Sequence, residues 1–138
     1  GVETEAAGLA AQRRTAQNLV AMRDALDAFT QAVEAGRDAV GADFQFHQEI
    51  TRATQNAHFV NLMATLGTMS IPRARLDPSR PSDEERLAYL RRVNAEHLSI
   101  LDAIENQDVE AARAAMRTHL ANSRERRRRA AALAGESP

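Results

Sequence analysis

The chain has no cysteine, which excludes a disulfide framework and any thiolate metal site, and nothing in it demands an oxidising compartment. Aromatic residues make up 4% of it and β-branched residues are sparse, so no strand pattern emerges. Its apolar runs fall far short of the roughly 20 residues that a membrane helix needs. Residues 1–20 lack the basic start, apolar run and cleavage site of a signal peptide. A soluble, cytoplasmic chain with no membrane partner is expected. With 18 basic and 19 acidic residues the net charge is -1, which argues against a nucleic-acid-binding field over the whole domain. The exception is the run Arg124-Glu125-Arg126-Arg127-Arg128-Arg129, read as a solvated helix end that suits the C-terminal dipole.

Alanine, leucine, arginine, glutamate and glutamine dominate instead, and these favour helix. A length of 138 residues fits one domain able to bury a core. The expectation is an all-α bundle of about six helices around a central metal site. The first helix runs to about Arg13, with Val2, Ala6, Leu9 and Ala10 as its stripe; its uncapped start suggests a longer parent chain. Thr15 caps the second, whose Leu19, Met22, Leu26, Phe29 and Val33 repeat at helical spacing up to Gly36. The third spans about Asp38 to Gln55. The fourth, about Ala57 to Ser70, is expected to bury Phe59, Leu62, Leu66 and Met69. Residues 71–82 hold Pro72, Pro78 and Pro81 and form the one substantial loop. Ser82 and Glu85 make a capping box for a fifth helix to about Glu105, and Asp108 caps the sixth.

Helical phase turns four ligand-capable groups inward. Asp43 and His47, four residues apart, share a face with Ile50 and Thr54, while Gln45, Gln48, Glu49 and Arg52 fall opposite. His97 is centred among Leu90, Val93, Ile100, Leu101 and Ile104, and His119 lines up with Ala112, Ala115, Met116 and Ser123. Each alone fits a hydrogen-bonded core histidine or an internal ion pair. Together they fit one shared ion: three imidazole nitrogens and a carboxylate oxygen suit zinc first, with nickel, cobalt, iron or manganese also fitting. Such a set leaves one or two coordination positions open. Arg86 and Arg126 share the inward direction of His97 and His119, and Ser123 lies one turn from His119, so these three are candidate effector contacts. His58 stands apart at a helix start, expected exposed.

Four segments, in this order, carry a resemblance: Val2 to Ala11; Asp43-Phe44-Gln45-Phe46-His47 with Ala53-Thr54-Gln55-Asn56; Glu96 to Ile104; and Asp108 to Leu120. Through them the chain resembles the C-terminal ligand-binding domain of GntR-type bacterial transcription regulators, the FadR C-terminal domain family in its metal-binding, VanR-like form. Gln55 and Gln107 depart from it, standing where the family often has glycine. The resemblance implies that Asp43, His47, His97 and His119 hold a divalent ion, and that a small carboxylate such as a sugar acid or central metabolite binds beside or on it. A fatty acyl-CoA effector is not implied, since that branch lacks the metal set. It further implies that residues 1–138 form an effector-binding, homodimerising domain, with operator DNA read only by an N-terminal winged helix-turn-helix domain absent from this sequence. The residues leave two rivals, a metal-dependent hydrolase and a bundle whose metal is purely structural. Against an enzyme stands the want of a His-Glu-x-x-His or paired Glu-x-x-His motif.

Overall fold

The computed structural model describes the backbone of residues 1–74 and 83–135, and the side chains of 1–66, 83–133 and 135. Six α-helices follow one another, α1 Val2–Arg13, α2 Ala16–Glu34, α3 Val40–Ala53, α4 Ala57–Ala74, α5 Asp83–Glu105 and α6 Val109–Gly135, and no strand occurs among the described residues. None of these helices is long and apolar enough to cross a membrane.

Helix ends follow local chemistry. Thr15 Oγ1 accepts from the Asn18 amide while Asn18 Oδ1 accepts from the Thr15 amide, a reciprocal cap at the start of α2. Gly36, at φ 71°, closes the same helix, with the Arg37 N–H donating to the Ala32 carbonyl. Asp38 accepts from the Val40 amide at 2.9 Å, so the chain turns there and α3 begins at Val40, two residues later than the sequence suggests. Asp108 accepts from the Ala111 amide at 3.0 Å and caps α6 as expected.

The two departures from glycine fall at these ends. Gln55 and Gln107 adopt φ of 58° and 55°. At Gln107 the N–H donates to the Ile104 carbonyl and that of Asp108 to the Ala103 carbonyl, the paired bonds that end a helix in a left-handed residue. A side chain there costs about 1–2 kcal/mol relative to glycine, less roughly 0.5–1 kcal/mol for glycine's extra chain entropy. Gln107→Gly is therefore expected to raise unfolding free energy by about 0.5–1 kcal/mol in urea titrations; an unchanged midpoint would contradict the strained reading.

The core runs between α1, α2, α3, α5 and α6, with Met22, Phe46, Ile50, Ile100, Ile104 and Met116 fully buried. Helix α1 differs from its expected stripe. Thr4, Ala6, Ala7, Gly8, Ala10 and Ala11 are its buried residues, whereas Val2 is 44% exposed, because α1 packs against α6, α3 and α5. Small side chains let these backbones approach, and Gly8 lies directly under Arg113, whose Nε stands 2.7 Å from where a Cβ would be.

Helix α4 departs further. It continues through Pro72 to Ala74, four residues beyond the Ser70 end that the sequence suggests. Met63 is buried, but Leu62 and Leu66 are 40% and 41% exposed, since α4 packs extensively only against α3. Met69 lies outside the described side chains, and Pro78, Pro81 and Ser82 outside the described residues. Glu49, on α3, is buried rather than outward-facing and accepts from Gln45 and Arg52.

Candidate metal centre

Three helices bring the expected groups together. Asp43 and His47 sit on adjacent turns of α3, His97 comes from the middle of α5 and His119 from α6, and one donor atom of each lies within 4.8 Å of the other three. Asp43 Oδ1 is 2.9 Å from His97 Nε2 and 3.6 Å from His47 Nε2. His47 Nε2 and His119 Nε2 face each other at 3.3 Å. Aromatic walls fix the rings: His97 packs between Phe29 and Phe46, at centroid distances of 5.1 and 4.9 Å. The three imidazoles are buried, whereas the Asp43 side chain is 42% exposed, so the cluster opens towards solvent on its carboxylate side.

Two further acids turn the imidazoles. Glu3 of α1 accepts from His47 Nδ1 at 2.6 Å, and Glu96 of α5 accepts from His119 Nδ1 at 2.8 Å. Burial would raise both carboxyls, but the His47 interaction holds Glu3 below its usual range, and Arg126, His119 and Asn122 hold Glu96 at about 2. Both acids are therefore acceptors, each Nδ1 carries a proton, and each Nε2 points into the cluster.

That arrangement suits a cation. Burial depresses His97 and His119, so both are neutral at physiological pH. His119 Nε2 is then an acceptor facing His47, His97 Nε2 stands beside the Asp43 carboxylate, and neither ring nitrogen of His97 makes an aligned hydrogen bond. In the metal-free protein one proton, on His47, offsets this charge: burial opposes it, but Glu3 and Asp43 raise the imidazole to about 10. A divalent ion answers the same need with more charge. Donors on one ion bound at about 2.1 Å lie at most about 4.2 Å apart, so sub-ångström side-chain movement closes the set. The donors are borderline nitrogen plus one hard oxygen, a zinc-type set.

Glu3 and Glu96 act on the cluster only through the rings they orient. Such carboxylates typically change metal affinity by 10–100-fold. Glu3→Gln is expected to weaken zinc binding by about that factor in competition with a chromophoric chelator, and unchanged affinity would confine Glu3 to packing.

The candidate effector contacts separate. Arg126 lies against the cluster's outer carboxylate, with Nη2 donating to Glu96 Oε1 at 2.8 Å and Nη1 to Oε2 at 3.1 Å, and its guanidinium covers the Tyr89 ring at 5.2 Å. Ser123 Oγ accepts from Arg126 Nη2 at 3.1 Å. Arg86 is elsewhere: it donates to the Arg37 carbonyl, about 16 Å along α5 from His97. His58 is exposed, its amide donating to Asn56 Oδ1. Sequence reasoning assigned no role to Glu3, Glu96 or Asn122. Glu3 had one available signal, since it falls one turn before the Ala6–Ala7 and Ala10–Ala11 pairs on the buried arc of α1.

Residues 1–122 match the FCD domain, and the chain belongs to that family, the C-terminal domain of GntR-family regulators. Among solved structures it is similar to E. coli McbR/YncC, with a TM-score of 0.73 at 20% identity over 88% of this chain. The match covers 57% of that protein's length. No curated protein matches by sequence.

Proposed function

We propose that this domain senses a small carboxylate through a divalent ion held by Asp43, His47, His97 and His119, and thereby controls DNA binding by an N-terminal winged helix-turn-helix domain of the complete regulator. The observation that carries this reading is the pair of inward Nε2 atoms 3.3 Å apart, each ring turned by an outer carboxylate and both beside the part-exposed Asp43. When bound, the ion supplies a positive centre for an anion; zinc is the first expectation, with nickel, cobalt, iron and manganese as alternatives. Arg126 and Ser123 line the adjacent corner, where a carboxylate is already held in two-pronged fashion by the guanidinium. Arg86 is too distant to join them in this arrangement. An acid bound here shifts the regulator only so far as it favours one helix arrangement over another.

Dimerisation belongs to the same reading. Val2, Phe59 and Leu62 form an apolar strip beside His58, around a concavity of about 230 Å³ on α1 and α4, and a second copy would cover it.

Metal analysis of the purified chain, followed by melting curves with a panel of small carboxylates with and without chelator, tests the proposal. Bound metal and an acid-dependent rise in melting temperature that chelator removes support it. No metal uptake by any of the five candidate ions would end it. Metal stabilisation without any effect of acids would leave a structural ion, and ester turnover dependent on Asp43 would favour a hydrolase.

A further inference from the structure

The arginine run of α6 is not at a helix end. The helix continues to Gly135, six residues beyond Arg129, and the dipole's influence fades within the last turn. The dipole therefore does not account for it, and the charges divide sharply along the sequence. Residues 1–122 hold 13 arginines and 17 acids, whereas residues 123–138 hold five arginines and two glutamates.

Within the run the arginines differ. Arg126 turns inward to Glu96, and Arg128 and Arg129 share Glu125. Arg124 and Arg127, with Arg117 two turns earlier, are exposed and have no acidic partner among the described residues. At 100° per residue these three fall within about 80° of arc and span about 15 Å of helix axis. They form a basic line on an otherwise acidic domain.

We infer that Arg117, Arg124 and Arg127 dock this domain on the sugar-phosphate backbone of duplex DNA. Guanidinium groups pair with phosphate oxygens in two-pronged fashion, and a line of arginines on a rigid helix suits a densely charged polymer. The contact is with phosphates and carries no sequence information, so it would add affinity to whatever reads the operator. Family membership supplies the setting, since these domains belong to regulators that act on DNA. An anionic membrane fits less well: beyond Ser123 the helix is arginine and alanine with Leu133 as its one large apolar residue, not the broad apolar face of an interfacial helix.

Fluorescence anisotropy of a labelled 20-base-pair duplex of arbitrary sequence tests the inference, using this chain at 50, 100 and 200 mM NaCl. Three phosphate contacts give a slope of log K against log salt of about -2.7, or binding about fortyfold weaker at the highest salt than at the lowest. The Arg117→Ala, Arg124→Ala, Arg127→Ala triple variant should flatten that slope towards zero while keeping wild-type circular dichroism and melting temperature. A control triple, Arg23→Ala, Arg91→Ala and Arg92→Ala, removes equal charge away from the line and should keep the slope. Three results would each overturn the inference: no saturable binding at 50 mM salt, equal losses in both triples, or binding to phosphatidylserine vesicles in preference to DNA.

Discussion

Replacing His97 with leucine is expected to separate metal binding from fold stability. His97 is wholly buried, flanked by Phe29 and Phe46, and neither of its nitrogens makes an aligned hydrogen bond. An unsatisfied buried polar group costs about 1–3 kcal/mol, so the metal-free leucine variant should melt at or above the temperature of the metal-free wild type. Zinc should reverse the order. At a free concentration a hundredfold above its dissociation constant, a ligand that binds only the folded state adds about 2.7 kcal/mol, or about 10 °C for a domain of this size. The wild type should gain that and the variant none. A leucine variant much less stable than wild type without metal, together with a wild type indifferent to zinc, would make His97 an ordinary core residue.

The second large effect is on pH. His47 in the metal-free fold is raised from 6.5 to about 10: burial opposes the charge, and the carboxylates of Glu3 and Asp43 outweigh it. A folded value above the unfolded one means that the proton's stabilisation is complete below pH 6.5 and is lost as pH climbs through the folded value. Metal and proton compete for the same imidazole. Metal-free stability should therefore fall between pH 7 and pH 10 while zinc affinity rises about tenfold per pH unit, or about a hundredfold from pH 7 to pH 9. Competition titrations at pH 7, 8 and 9, paired with melting curves of metal-free protein, read both trends. Zinc affinity independent of pH would show that His47 is not displaced by the ion.

What the sequence revealed and what it concealed divide along the range of the interactions. Thr15, Gly36 and Asp108 act on residues within one turn, and each was readable as a helix boundary. Asp43, His47, His97 and His119 were readable because each lies on the apolar face of its own helix, and burying all four faces in one small core leaves them few places to meet. Glu3 and Glu96 were assigned no role because their partners stand 44 and 23 residues away, and only the place of Glu3 on the buried arc of α1 offered a local signal. The exposed face of α4 misled for a related reason: Leu62 and Leu66 recur at helical spacing whether or not a second helix covers them. The arginine run was misjudged because alanine and leucine after Arg129 are good helix formers, so nothing local marked where α6 would stop.

The uneven exposure of the four donors also governs exchange. Asp43 is the one donor that solvent reaches freely, while His47, His97 and His119 are held behind packed rings. An ion in this socket can be approached by a competing chelator only past that single carboxylate. Its departure then waits on the rate at which the α3 side opens, so removal by excess chelator should follow first-order kinetics with a rate that no longer rises with chelator concentration.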